Sequence, residues 1–259
     1  MPDELSRKAD AGRRRTVRVV LPAFNEAANL GSVLKSLERA GGEAGIALHA
    51  IVVNDGSSDG TGEVVRQHRG PMPATLIEHP ENLGLGAAIR SGLLGAVDAA
   101  GDGDIIVTMD ADDTHTPAAI AQMLARIDAG MDVIVASRYR PGSRVIGVPW
   151  PRRFLSYAAS LLFRVVFPTP GVRDFTCGYR AYRASILKAA VMRYRREFID
   201  EEGFQCMVDI LLKLRRMNLH FAEVPLVLRY DLKAGKSKMK VARTIRQTLG
   251  LLIRRRLGR

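Results

Sequence analysis

The chain has 259 residues, of which 47% are hydrophobic, enough to bury the core of one large domain or two small ones. Two cysteines, Cys177 and Cys206, exclude a disulfide framework and point to a reducing compartment. The net charge of +12 is unevenly spread: residues 1–150 hold 15 Lys/Arg against 19 Asp/Glu, whereas the last 31 residues hold 11 against 1, and with 6% aromatics this acidic first half argues against a nucleic-acid binder.

The lead-in MPDELSRKADAGRRRT (residues 1–16) is polar and basic, lacks the apolar centre of a signal peptide, and is expected to be mobile. VRVVLP (17–22) predicts a buried strand, followed by a helix from about Glu26 to Ala40. ALHAIVVND (47–55) predicts a second strand with a helix led by DGTGEVVRQH, and ATLIEHP (74–80) a third with the helical GLGAAIRSGLLGAVDAA behind it. DIIVTMD (104–110) is a fourth strand, with a helix opened by Pro117, and DVIVAS (132–137) is a fifth. Apolar, β-branched strands separated by helices imply an α/β fold with a mostly parallel sheet flanked by helices. Beyond it, RRFLSYAASLLFRVVF (152–167) is apolar and aromatic with basic residues, DFTCGYRAYR (174–183) suggests a loop and strand, GFQCMVDILLKLRRM (203–217) a helix and LHFAEVPLVLRY (219–230) an extended segment. Residues 17–230 are expected to form a single domain, and 231–259 a basic amphipathic segment.

In such sheets ligands sit outside the carboxyl ends of the strands. The strand ends here are PAFNE (22–26), NDGSSDGT (54–61), HPENLGLG (79–86), MDADDTH (109–115) and SRYRPGS (137–143). Asp110 and Asp112, two apart at the end of a strand, can point the same way and share one hard cation, Mg2+ or Mn2+, which keeps open positions for substrate phosphates. An acidic turn that starts a helix accounts for Asp113 and Thr114 as caps ahead of Pro117, but gives no reason for Asp110. Glycines Gly84 and Gly86 do not make a dinucleotide fingerprint, because Ile89 stands where Gly or Ala is needed and the motif follows the third strand. They are expected to bring the helix start close to a nucleotide sugar or to the sheet.

PAFNEAANL, VNDGSSDGT, NLGLGAAIRSG, DADDTHTP, ASRY, DFTCGYRAYR, EVPLVLRY and GKSK occur here in the order seen in family 2 glycosyltransferases. The chain most resembles the polyprenol-phosphate (dolichol-phosphate) mannosyltransferase group over roughly residues 17–250. The resemblance implies a GT-A type nucleotide-sugar-binding fold and an inverting transfer of a hexose, mannose from GDP-mannose, to a polyprenyl phosphate. A UDP-sugar donor, a saccharide acceptor, or a nucleotide-sugar-binding module without turnover are the rival readings. By resemblance, Pro22, Ala23, Asn25, Glu26 and Asp55 hold the nucleoside, with Asp110, Ala111 and Asp112 on the nucleotide sugar. Asp110 and Asp112 are the metal pair, and Asp112 and Arg138 are the catalytic residues. Arg138, Arg229 and Lys238 match positions that handle the lipid phosphate. Asp59 is expected to serve its turn or as a helix cap, and His115 to pack or cap. The group reads D-A-D-x-Q-H with the glutamine as a further metal contact; this chain has Thr114 at that place.

A lipid phosphate is already anionic, so transfer to it needs positioned cations more than a base. A saccharide acceptor would need one, for which Asp174, Glu201 or Glu202 are candidates. A polyprenyl acceptor also implies an enzyme that reaches the membrane surface. Phe154, Tyr157, Leu161 and Phe163 with Arg153 and Arg164, and a helical face of Val241, Ile245, Leu249 and Leu252, suit docking on an anionic surface. The expected location is the cytoplasm, peripherally on the cytoplasmic face of the membrane.

Overall fold

A computed structural model describes residues 15–232 and 241–256. Lys238, like Lys233, Lys236 and Lys240, lies outside the described residues, as do residues 1–14 of the lead-in and the side chains of Val241 and Ile245, whereas Thr16, expected in the lead-in, already belongs to the first strand.

The chain runs β1 (Thr16–Ala23), α1 (Ala27–Ala44), β2 (Ala47–Asp55), α2 (Thr61–Arg66), β3 (Ala74–His79), α3 (Leu85–Ala99), β4 (Ile105–Thr108), α4 (Ala119–Asp128) and β5 (Val133–Ser137). There follow β6 (Arg144–Ile146), α5 (Trp150–Val166), β7 (Arg180–Arg183), α6 (Ala184–Tyr194), a 3-10 turn (Arg195–Ile199), α7 (Gln205–Arg215), β8 (Phe221–Pro225), β9 (Val227–Arg229) and α8 (Val241–Arg256). Val17, Val19, Val20 and Leu21 in β1, and Ile105, Ile106 and Val107 in β4, are buried on both sheet faces, as strands of a covered parallel sheet must be. α1 buries Leu30, Val33, Leu34, Leu37 and Gly41, one stripe of a 3.6-residue period, and ends at Gly45 in a left-handed conformation.

Seven strands form the main sheet in the order β3-β2-β1-β4-β7-β5-β8, and β6 pairs with β9 in a small second sheet. All pairings in the main sheet are parallel except those of β7, which runs antiparallel between β4 and β5. The chain leaves β1 toward β2 on one side and returns to β4 on the other, which opens a crevice at the carboxyl ends of β1 and β4. The small sheet lies beside that crevice: the Arg229 N–H donates to the Thr114 carbonyl at 2.9 Å, and His115 bridges to Leu228.

α5 touches the body through few residues. Ser160 and Phe163 are buried, and Phe163 stacks on Phe167 at 6.3 Å and Phe175 at 5.7 Å. Phe163 is therefore a core residue rather than part of a docking face, because it sits on the one side of the helix that meets the core. The opposite side leaves Trp150, Phe154, Tyr157, Leu161 and Val165 exposed at helical spacing, Trp150 by 77% and Val165 by 71%. Trp150 and Val165 extend the stripe beyond the residues expected to form it. α8 packs on α7 through Leu251, which is fully buried, and through an Arg255 fork that donates to Asp209 at 2.6 and 2.9 Å. Leu252 is part-buried against the core while Leu249 and Ile253 are exposed, so the expected face of Leu249 and Leu252 is divided between core and surface.

Candidate active site

Thr108 ends β4 and donates its hydroxyl to the Gly178 carbonyl at 2.6 Å, and the Met109 N–H donates to the Val20 carbonyl at 3.1 Å. These bonds fix where the chain leaves the sheet, placing Asp110, Ala111 and Asp112 at the switch between β1 and β4. Ala111 is buried, as is Ala23 at the end of β1, so both offer a ligand backbone rather than side chain. Pro22 precedes Ala23 in register with Val53 on β2. The Asp110 N–H donates to His115 Nδ1 at 3.3 Å, and His115 stacks on Tyr179 with centroids 5.0 Å apart. His115 thus packs, as expected, and in doing so holds the backbone of the first carboxylate.

Asp113 and Thr114 do not cap α4. That helix starts at Ala119 after Ala118 and has no side-chain cap. Asp113 instead adopts φ 61°, a left-handed backbone that Asp tolerates, and accepts a hydroxyl bond from Ser32 on α1 at 2.8 Å. The buried Thr114 donates its hydroxyl to Asp112 Oδ1 at 2.6 Å and its N–H to the same oxygen at 3.2 Å. The chain bends here to present Asp112, and the helix begins only after Pro117.

The fit of a divalent cation can be read from these donors. Among the described residues no group of three His, Cys, Asp or Glu side chains could hold a metal. Asp110 and Asp112 supply two hard oxygen donors, and one oxygen of Asp112 is oriented by Thr114. Two carboxylates with the remaining positions left to phosphate oxygens and water is the way Mg2+ is commonly bound at nucleotide sites. The residues fit.

The residues expected on the nucleoside come together at the ends of β1 and β2. Asn25, at φ 52°, accepts from the Ser58 N–H at 2.9 Å through its side chain and donates its own N–H to Ser57 Oγ at 2.9 Å. Glu26 is buried, accepts from Asn29 Nδ2 at 2.7 Å and donates its N–H to Thr61 Oγ1 at 2.9 Å. Asp59 accepts from the Ala27 N–H at 3.1 Å and from the Thr61 N–H, two residues on, at 3.1 Å, which is the turn role expected of it; the cap position before Thr61 is held by Gly60. Burial works against the Asp59 carboxylate, but bonds from Thr61 and from the Ala27 and Thr61 N–H groups hold its pKa below the ordinary value. Asp55 is committed inward: Oδ1 lies 2.7 Å from His79 Nδ1 and accepts from the Leu83 N–H at 3.0 Å, and Oδ2 accepts from the Gly84 N–H at 2.9 Å. It holds the loop before α3. Gly86, in turn, lets that helix start meet another part of the chain: its N–H donates to the Glu202 carbonyl at 2.7 Å, and a Cβ would fall 1.8 Å from the Glu201 carbonyl oxygen. The close approach made by these glycines is thus to residues 201–202.

Arg138 follows β5. Its Nε and Nη2 donate to the Asp174 carboxylate at 2.8 and 2.6 Å, and Nη2 also reaches Thr176 Oγ1 at 2.6 Å. Asp174 is fully buried and also accepts from the Cys177 N–H at 3.1 Å. Burial alone would raise the Asp174 pKa; the Arg138 charge and hydrogen bonds reverse that and lower it. Burial likewise opposes the charge on Arg138, and Asp174 overcomes it, raising the Arg138 pKa. Sequence reading missed this clamp because its partners are 36 residues apart. Arg229, by contrast, is surface-accessible and forks onto Asp231 at 3.0 and 2.9 Å, with its backbone tied to the carboxylate loop.

Residues 18–190 match the glycosyl transferase family 2 domain. Polyprenol monophosphomannose synthase of Mycolicibacterium smegmatis is 31% identical over 223 residues, 85% of this chain and 80% of that protein. Undecaprenyl-phosphate mannosyltransferase of Micrococcus luteus is 30% identical over 86% of this chain and 87% of its own length. Among solved structures, glucosyl-3-phosphoglycerate synthase from Mycobacterium tuberculosis, in complex with Mn2+, UDP and glucosyl-3-phosphoglycerate, aligns with TM-score 0.66 and 22% identity over 98% of this chain and 83% of that one. The shared architecture is GT-A-like, with a mostly parallel central sheet between helices. With its carboxylate pair at the switch point of that sheet, the chain belongs to glycosyl transferase family 2 and is a glycosyltransferase.

Proposed function

We propose that the chain transfers mannose from GDP-mannose to a polyprenyl phosphate, with inversion at the sugar carbon. The observation that carries the acceptor class is the state of Asp174. It is fully buried and forked onto Arg138, so it cannot serve as the base that a saccharide hydroxyl would require. Glu201 is likewise held, by Arg254 and by Gln205 Nε2 at 3.1 Å. A phosphate acceptor needs no base, because it arrives ionised. The names of the two relatives at 30% identity or above support the same acceptor and sugar.

In this reading Asp110 and Asp112 hold Mg2+ or Mn2+, with Thr114 and His115 fixing their positions. When bound, the cation neutralises charge on the leaving diphosphate. Asn25, Glu26 and the backbone of Pro22 and Ala23 border the nucleoside, and Asp55 shapes the loop beside it. A phosphate oxygen of the acceptor attacks the anomeric carbon as the bond to the diphosphate breaks, and the electron pair leaves on GDP. Arg229, beside the carboxylate loop, and Lys238 attract the lipid phosphate, while Arg138 shapes the site through Asp174.

Among the described residues no helix is long and apolar enough to cross a membrane. The exposed stripe of α5 and the basic C-terminal segment support peripheral docking on an anionic surface, with the apolar side chains in the headgroup region. The deciding experiment incubates the protein with membrane lipids, Mg2+ or Mn2+ and a panel of labelled nucleotide sugars. A mannosyl polyprenyl phosphate formed from GDP-mannose is expected. Product only from a UDP-sugar, or only on a water-soluble saccharide, would replace this reading.

A further inference from the structure

Away from the carboxylate loop, a cavity of about 260 Å3 opens where α5, α7 and α8 end. It is lined by Val166 and Phe167, by Leu212, and by five cations: Lys213, Arg215, Arg216, Arg255 and Arg256. No residue assigned above to the nucleotide or to the metal lines it. We infer that this cavity binds the phosphate headgroup of an anionic phospholipid while the α5 stripe lies in the membrane surface. The inference rests on the docking reading and adds to it a discrete site.

The charges in the cavity are unequal. Lys213 and Arg255 are consumed within the fold, since Asp209 contacts Lys213 at 2.6 Å and Arg255 at 2.6 Å, and Asp200 lies 2.7 Å from Lys213. Arg215 donates to the Pro168 carbonyl at 3.1 Å, as a cation near a helix end commonly does. Arg216 and Arg256 are exposed, and neither side chain makes an ion pair or hydrogen bond with a described residue. Two carboxylates therefore face five cations, and the surplus converges on one recess. The volume suits a phosphodiester together with several waters, at about 30 Å3 each. Guanidinium groups match phosphate oxygens in geometry as well as charge.

The surroundings select a membrane lipid as the occupant. The apolar stripe of α5 ends at Val165, one residue before Val166 of the cavity wall. On α8, exposed Leu249 and Ile253 share a helical face with Arg256, so a second apolar strip ends at the same recess. Apolar strips leading to a phosphate-sized basic recess are what a lipid at the water interface meets with its chains and headgroup.

The test uses the full chain, vesicles of phosphatidylcholine alone or mixed with phosphatidylglycerol, and soluble dihexanoyl-phosphatidylglycerol below its micelle concentration. The double variant Arg216→Gln, Arg256→Gln changes two exposed side chains without described partners. The control, Arg39→Gln with Arg69→Gln, removes the same charge from exposed positions on α1 and before β3, the edge strand remote from β8. At roughly 1 kcal/mol per cation near an anionic surface, the cavity variant is expected to bind mixed vesicles about 30-fold more weakly. The control should match the wild type, and saturable binding of the soluble lipid should vanish only in the cavity variant. Equal losses in both variants would overturn the cavity and leave membrane docking standing. Binding of the soluble lipid without any vesicle binding would do the reverse. Inorganic phosphate binding as tightly as the soluble lipid would overturn the lipid assignment.

Discussion

Around the carboxyl ends of β1 and β2, polar groups serve one another, whereas around α5 and α8 apolar and basic groups are turned outward. Asp55 spends both carboxylate oxygens on His79 and on the N–H groups of Leu83 and Gly84, and Asp59 spends its own on Ala27 and Thr61. The first region is a rigid cradle whose residues act largely through backbone they hold in place. In the second, Phe163 and Leu251 anchor two helices whose other faces keep Trp150, Phe154, Val165, Leu249 and Ile253 in water. Changes in the cradle should therefore affect chemistry and stability, and changes in the outer helices should affect location.

The largest effect is expected at Asp112. Asp112→Ala should cut metal-dependent transfer roughly a thousandfold, in line with the several kcal/mol that a bound cation supplies, while the urea midpoint stays close to wild type. Unchanged transfer in that variant would remove the carboxylate pair from the mechanism. Arg138→Ala should cost about 3–5 kcal/mol of folding stability, because it strands a buried carboxylate, and denaturant titration measures this directly. The clamp also carries a pH signature. The Asp174 pKa is lowered on folding, so its contribution is present above the unfolded value near 4 and is lost as pH falls through the lower folded value. Wild type should lose stability over that acid range more steeply than Arg138→Ala; parallel curves would mean that the pair does not couple folding to pH.

On the outward side, Trp150→Ser with Phe154→Ser should leave the melting temperature unchanged and weaken vesicle binding at least tenfold, given about 1.5–3 kcal/mol per apolar side chain buried. A drop in melting temperature would place this face in contact with protein instead. The smallest effect joins the two regions at the carboxylate loop. Thr114→Val keeps the shape but removes the hydroxyl that orients Asp112, and losing one such charged bond is worth about 1.5–3 kcal/mol. The activating Mg2+ concentration should rise roughly tenfold or more, with kcat at saturating metal much less affected. A kcat loss without a shift in metal requirement would count against an orienting role.

Most of the sheet was legible because buried parallel strands are written as local apolar runs. ALHAIVVND became β2 over Ala47–Asp55, and ATLIEH became β3. The Asp110–Asp112 pair was legible for a similar reason, since two-residue spacing at a strand end is a local property. What escaped was decided by contacts distant in sequence. RAYR was legible as a strand but not as a central one, nor was the full burial of its Arg180, which donates to the carbonyl of Met207, 27 residues later. The inward commitment of Asp55 depends on a loop 28 residues later, and the burial of Phe163 depends on Phe175. The three-residue β6, two of its residues exposed, is too short for periodicity to mark.

The antiparallel β7 also bears on how the chain is made. β4 and β5 are separated by that strand and do not pair with each other, so the sheet is interrupted at its centre until Arg180–Arg183 arrives. A ribosome that has delivered everything through β5 has delivered a four-stranded fragment with an open β4 edge and a β5 strand with neither of its partners. Exposed edges of apolar strands invite pairing with other chains. Vectorial synthesis therefore leaves a window, from residue 137 to residue 225, in which the nascent protein is most prone to association. The window narrows when the short β7 slides between β4 and β5, and closes when β8 covers the remaining edge of β5.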